Sequence, residues 1–246
     1  VLDYDKEAER YDASRGGEPR AAAAAQAVLG LLPDGTRRLL DVACGTGIVT
    51  RRLAARDGLR VTGVDLAPAM ARQAAARLPG AVVRADSRRL PFGDGRFDAV
   101  SSVWLLHLAQ TAEDVRTIVG ECARVLRPGG VYVTTVDKAA AHNVGSDIDA
   151  VLASRPRRPA RDEAALVESY ALGHGLVPAG QARFTGRGQG RSPRRTVADL
   201  RRGWFVTLPP GDPLADEFAA RLAELPGQDL PRPDPVFTLR AFRKAG

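Results

Sequence analysis

Apolar residues in this chain come in short runs, cut apart by turns that carry glycine or an acidic residue. Leu39-Leu40-Asp41-Val42 enters the turn Ala43-Cys44-Gly45-Thr46-Gly47, and a helical pattern of Ile48, Val49, Leu53 and Ala54 leaves it. A second run, Arg60-Val61-Thr62-Gly63-Val64, closes on Asp65. A third, Ala81-Val82-Val83, closes on Ala85-Asp86-Ser87, and Phe97-Asp98-Ala99-Val100 makes a fourth. Residues 131–136 form a fifth, after the stop Arg127-Pro128-Gly129-Gly130. Helices are expected between them, over residues 21–32, ended by Pro33-Asp34-Gly35, and over 112–126, where Thr111 and Asp114 make a capping-box variant.

Past Asp137 the pattern loosens. Helices are expected over 147–152, 161–172, 196–204 and 213–225, with Pro156 and Pro159 breaking the first pair and Gly173-His174-Gly175 ending the second helix. Residues 181–185 form a sixth strand, and residues 236–242 alternate as a closing one. Strands alternating with helices predict one open α/β domain over residues 1–246, a mostly parallel sheet with helices on both faces. Residues 1–20 read as an N-terminal lid and 138–180 as a partial helical cap. Trp204 and Phe205 are expected in the core or lining an apolar pocket.

The first two runs and their turn make a βαβ unit shaped for a nucleoside. Glycines let a ligand approach the backbone. The Asp65 carboxylate can accept hydrogen bonds from both ribose hydroxyls. A dinucleotide fingerprint needs a small third residue, yet Thr50 follows Gly45 and Gly47, so a ligand without pyrophosphate fits better.

A strand ending in an acidic residue, then x-x-Cys-Gly-Thr-Gly, resembles motif I of class I S-adenosylmethionine-dependent methyltransferases, with Ala43 where the family has glycine. Asp65-Leu66-Ala67-Pro68-Ala69-Met70 resembles the second motif, and Asp86-Ser87 the acidic strand end. Leu90-Pro91-Phe92 with Phe97-Asp98-Ala99-Val100, and Arg124-Val125-Leu126-Arg127-Pro128-Gly129-Gly130, resemble the later ones. The branch that includes ubiquinone-type and natural-product tailoring enzymes is the most similar.

The resemblance implies a Rossmann-like, seven-stranded sheet whose last strand is antiparallel. It implies S-adenosyl-L-methionine as cofactor and S-adenosyl-L-homocysteine as product. Ala43, Gly45, Thr46 and Gly47 would form the turn against the cofactor, with Asp65, Leu66 and Met70 at the ribose and Asp86 and Ser87 at the adenine. Tyr11 and Arg15 would close over the methionine end, a guanidinium suiting its carboxylate. Val103 and Trp104 would pass near sulfur and adenine. His107 is the candidate general base, because a free imidazole titrates near neutrality; the alternative is a packing histidine that positions its loop. His142 either faces substrate or is a solvated loop residue, and His174 is expected at a helix end.

The chain carries a formal net charge of +7, nearly all of it arginine; only Lys6, Lys138 and Lys244 are lysine. With the run Ala21 to Ala25 this suggests GC-rich coding, which weakens any argument from charge to nucleic acid. Arg155, Arg157, Arg158 and Arg161 crowd one segment, and Arg183, Arg187, Arg191, Arg194 and Arg195 another. Such runs are usually solvated, with anion binding the alternative. Cys44 and Cys122 read as reduced, buried thiols in a cytoplasmic protein. No apolar run is long enough to cross a membrane. No secretory leader is expected, and the start at Val1 suggests trimming.

Absences narrow the chemistry. There is no Asn/Asp-Pro-Pro-Tyr/Phe motif, no Pro-Cys nucleophile, no nucleophile elbow and no metal-ligand spacing. The expected reaction is methyl transfer to a small-molecule acceptor in natural-product biosynthesis, and the arginine runs point to an acidic one. The alternatives are an RNA methyltransferase and a cofactor-binding relative that does not methylate. Oligomeric state is not legible.

Overall fold

The computed structural model describes residues 4–202, 208 and 211–246. Trp204 and Phe205 lie outside them, as does the end of the helix expected to reach Trp204. Two helices, α1 (Tyr4–Ser14) and α2 (Gly17–Leu29), precede the alternating core. That core runs β1 (Arg38–Val42), α3 (Ile48–Ala54), β2 (Arg60–Asp65), α4 (Pro68–Arg77), β3 (Val82–Arg84), β4 (Phe97–Ser102), α5 (Ala112–Val125) and β5 (Leu126–Val136). There follow α6 (Lys138–Ala141), α7 (Asp147–Val151), α8 (Ala164–Gly173), β6 (Leu176–Thr185), α9 (Pro193–Arg201), α10 (Pro213–Ala223) and β7 (Val236–Lys244).

Among the described residues the sheet has seven strands in the order β3-β2-β1-β4-β5-β7-β6. Neighbours from β3 to β5 are parallel, and β7 lies antiparallel between β5 and β6. The fold class is as expected, a Rossmann-like, mostly parallel sheet with helices on both faces. On one face Val115, Ile118 and Cys122 of α5 and Val167 and Ala171 of α8 bury against Leu40, Val100 and Tyr132. On the other Ala21, Ala24 and Val28 of α2 and Ile48 and Leu53 of α3 bury against Leu39, Ala99 and Val133. Chain order reverses between β1 and β4, which opens a crevice at their carboxyl ends, where ligands of open α/β sheets bind.

Side chains explain the later sequence matches. Arg124 donates to Leu90 O (3.1 Å) and Phe92 O (2.8 Å), and Glu121 accepts the Leu90 N–H (2.7 Å), so α5 carries the loop before β4. Asp98 accepts the N–H groups of Arg37 (2.9 Å) and Arg38 (2.8 Å), fixing β4 beside the start of β1. The capping box of Thr111 and Asp114 forms as expected, and His174 caps the end of α8.

Several boundaries differ. The helix expected from Thr196 starts at Pro193, capped by the Ser192 hydroxyl; the adjacent arginines had masked a Ser-Pro start. The polyalanine helix begins at Gly17 and ends at Leu29. Strand β6 begins five residues before the expected Gln181, because it pairs along β7 as an exposed edge that needs no apolar pattern. The segment expected as a partial cap, 138–180, divides. Its α8 and the first half of β6 join the sheet layers, while Ile148, Val151 and Leu152 join Leu200, Phe218 and Leu222 of α9 and α10 in a separate cluster.

Candidate active site

The turn after β1 is held from beneath and from the side. Asp65, at the end of β2, accepts the Gly45 N–H on one carboxylate oxygen (2.8 Å) and the Ala67 N–H on the other (2.9 Å). One carboxylate thus joins the turn after β1 to the turn after β2. A carboxylate oxygen has two lone pairs, so these amide bonds do not by themselves close Asp65 to ribose hydroxyls. Below, Asp41 is buried and accepts the hydroxyls of Thr50 (2.6 Å) and Ser101 (2.7 Å). Burial raises its pKa to about 6, against the opposing effect of those two hydroxyls.

Gly45 and Gly47 both have left-handed backbone, φ 58° and 78°. A Cβ on Gly47 would sit 2.9 Å from the Ala74 backbone, so that glycine lets α4 pack close. A Cβ on Gly45 would meet nothing within 4 Å. Its open side is the approach a nucleoside cofactor needs. Leu66 beside Asp65 is 55% exposed, an apolar surface left uncovered at the ribose end, while Met70 behind it is buried. These residues fit S-adenosylmethionine. Ala43 also has φ 57°, the left-handed region where the family's glycine carries no Cβ penalty.

The N-terminal helix docks on this turn through a residue that sequence reasoning left unassigned. Asp12 accepts the Thr46 hydroxyl (2.6 Å) and the Arg77 guanidinium (2.7 Å), and Arg77 also donates to Thr46 O (2.7 Å). The Thr46 hydroxyl is therefore taken up by α1. Arg15 lies over the Tyr11 ring, 5.6 Å from guanidinium carbon to centroid. Arg195 ties the end of α1 to α9 by donating to Ser14 O (2.8 Å).

Other expected residues are placed differently. Both Asp86 oxygens accept from Arg88, which holds the carboxyl below its usual range. Asp86 therefore reaches an adenine amino group only alongside that guanidinium. Ser87 is half-buried in the same turn, and Val103 packs in the α2–α3 layer. Trp104 turns toward the far half of the sheet. Its ring meets Phe184 and Phe237 edge-on, each at 5.6 Å, over the β6–β7 half of the sheet, and Arg20 stacks on it at 4.1 Å. Its φ of 61° is held by an N–H bond to the Thr135 hydroxyl (3.1 Å).

His107 follows β4 in a short 3₁₀ turn (Leu106–Leu108), and its Nδ1 is buried with no hydrogen-bond partner among the described residues. Burial first, then Lys138, Arg15 and His142, holds its pKa well below the usual value, so the ring is neutral at pH 7. His142 is not a solvated loop residue. It stands edge-on to Phe237 (5.6 Å), and burial, Arg191 and Lys138 lower its pKa. The arginine runs are mixed: Arg157, Arg158, Arg183, Arg187, Arg194 and Arg195 are exposed, while Arg155 and Arg191 turn inward. Both cysteines are free and buried, and burial pushes each thiol's pKa up.

Asp12, Arg20 and Lys138 were missed. The sequence placed Asp12 beside Tyr11 and Lys138 directly after the fifth strand, but no local pattern says which way either side chain turns.

The fold and the turn give an open α/β crevice shaped for a nucleoside at the ends of β1 and β2. Residues 40–134 match the family model described as a methyltransferase domain. Over those residues the chain is similar to class I S-adenosylmethionine-dependent methyltransferases. It is 39% identical over 98 residues to the demethylmenaquinone methyltransferase of Tropheryma whipplei (strain Twist), covering 39% of either chain. It is 36% identical over 109 residues to the 2-methyl-6-phytyl-1,4-hydroquinone methyltransferase of Synechocystis, covering 43% of this chain and 33% of that one. The match thus spans about two fifths or less of these curated relatives. Over nearly the whole chain the fold is similar to that of the [4+2]-cyclase SpnF, with TM-score 0.58, 21% identity, and 98% and 93% of the two chains covered.

Two outcomes follow for the turn. The Asp41 pKa is raised on folding, so its contribution to stability is complete below about pH 4 and is lost as pH rises through about 6. The gap in unfolding free energy between wild type and Asp41→Asn should therefore shift by about 3 kcal/mol between pH 4 and 7, read by urea denaturation. Replacing Ala43 with glycine should raise stability by about 1 kcal/mol by relieving the left-handed Cβ, read as a higher denaturation midpoint.

Proposed function

We propose that the protein transfers a methyl group from S-adenosylmethionine to a small, anionic acceptor in a biosynthetic pathway. The observation that carries this reading is the Asp65 clamp on an open glycine turn, inside a segment that matches a methyltransferase domain. The cofactor would supply an electrophilic methyl on sulfonium sulfur, and the chain supplies alignment. Gly45 and Gly47 would admit the methionine portion, Asp65 would hold the ribose, and Leu66 would cover the purine. Alignment alone can lower such a barrier by roughly 7–11 kcal/mol, so no strong catalytic motif is needed.

The acceptor would enter between the end of β4 and the end of β5, where His107, Trp104, Lys138 and His142 converge with the lid. Neutral His107 would take the acceptor proton on its unpaired Nδ1 as the nucleophile attacks. The two named relatives act on quinone-type compounds, which supports a cyclic oxygenated acceptor. Most of the arginines in the runs are solvated and scattered, which disfavours a tracked RNA backbone.

Incubation with methyl-labelled cofactor and a panel of phenolic and carboxylic acceptors tests the reading; cofactor binding with no labelled product would refute it. Asp65→Ala should weaken S-adenosylhomocysteine binding by about 1.5–3 kcal/mol in calorimetry, with a loss of stability because the Gly45 and Ala67 amides lose their acceptor. Unchanged affinity would remove Asp65 from the site. His107→Ala should slow turnover by about a hundredfold with near-normal cofactor affinity if Nδ1 is the base. Equal loss of both would leave it a positioning role.

A further inference from the structure

Beyond the carboxyl ends of β4 and β5, cationic side chains gather in greater number than one cofactor carboxylate requires. Arg20 is only 4% exposed, stacked on Trp104, and its Nε has no partner among the described residues. Trp104 Nε1 is a second buried donor without one. Lys138 stands at the tip of β5, half-buried, and no carboxylate among the described residues lies within ion-pair distance of its Nζ. The groups that face Lys138 are Arg15, Arg20 and Arg191, with His107 and His142, and one carboxylate, Asp162.

The acidic side chains nearby have other work. Asp162 is buried and accepts the Lys138 backbone N–H (2.9 Å). Asp12 holds Thr46 and Arg77, and Asp149 accepts the N–H groups of Val144 and Ser146, both at 3.0 Å. Buried cations and donors left without acceptors are costly unless a ligand completes them. The stack on Trp104 holds the Arg20 plane, and Tyr11 shares a hydrogen bond with that guanidinium, but its Nε is left without an acceptor among the described residues.

We propose that Arg20, Lys138 and the Trp104 indole N–H form an oxyanion subsite that grips a carboxylate or phosphate on the methyl acceptor, with Arg191 completing its outer wall. The proposal rests on the methyltransferase reading and names its substrate class. The anion would neutralise Lys138 and Arg20 beside the packed rings of Trp104, Phe184, Phe237 and His142, leaving the acceptor's other end toward His107. Acceptors lacking the anion leave two cations buried and are rejected, the stronger form of discrimination.

With only three lysines in the chain, Lys138 can be followed directly by NMR of its side chain. Burial and its cationic neighbours give it a titration midpoint near 8. Inorganic phosphate should raise that midpoint by about one pH unit, both in the free protein and with S-adenosylhomocysteine bound; acetate in a parallel arm distinguishes a phosphate site from a carboxylate site. Lys138→Met should lower affinity for the effective anion about tenfold and leave S-adenosylhomocysteine binding within about twofold. An unmoved midpoint with both anions overturns the proposal. So does a Lys138→Met variant that weakens S-adenosylhomocysteine but not 5′-methylthioadenosine, which lacks the carboxylate, because the cations then serve the cofactor. Failure of S-adenosylhomocysteine to bind the wild type would instead sink the underlying methyltransferase reading.

Discussion

The Asp65 carboxylate is the tie on which the site depends. Two backbone amides from separate crossover turns, Gly45 and Ala67, converge on its two oxygens. Without that acceptor the turns after β1 and β2 would each keep an orphaned amide at the mouth of the crevice, a cost of order 1–3 kcal/mol apiece. Under the proposed function the same carboxylate would also hold the nucleoside sugar, which would couple order in the turns to affinity for the cofactor. Close packing enforces the rest: a Cβ at Gly63 would meet Cys44 Sγ at 2.9 Å, so the second strand must be bare where the first turn crosses it.

Above that tie, the lid and the sheet are joined by charge. Asp12 bridges the Thr46 hydroxyl and Arg77, and Arg195 reaches Ser14 O from α9. The N-terminal helix is thus anchored at both the cofactor turn and the helical cluster of α7, α9 and α10. Cofactor and acceptor must enter past contacts that are polar and partly solvated, the kind that open at low cost.

The two halves of the crevice differ in electrostatics. On the β1–β2 side carboxylates dominate, with Asp41, Asp65 and Asp86 near the strand ends. On the β4–β5 side cations dominate, and burial keeps both His107 and His142 neutral. A sulfonium lying between them would face negative charge from its sugar side, while an anionic acceptor would be drawn to the opposite wall. Such a gradient orients the two partners before any bond changes.

The amino-acid sequence by itself determined the alternating core, the strand ends and the glycine turn, because these rest on local periodicity and on backbone needs of single residues such as Gly45 and Gly47. It also carried the Thr111 capping box, whereas the antiparallel last strand followed only from the family resemblance. Tertiary structure alone decided that Trp104 turns to Phe184 and Phe237, that Asp12 pins Thr46, and that Lys138 comes within the electrostatic reach of Arg20. Each joins residues from 34 to 133 positions apart, brought together only when α1 and α2 fold over the sheet. Burial, which shifted the histidines and left the cations short of acceptors, is a property of that assembly and has no signature in the order of residues.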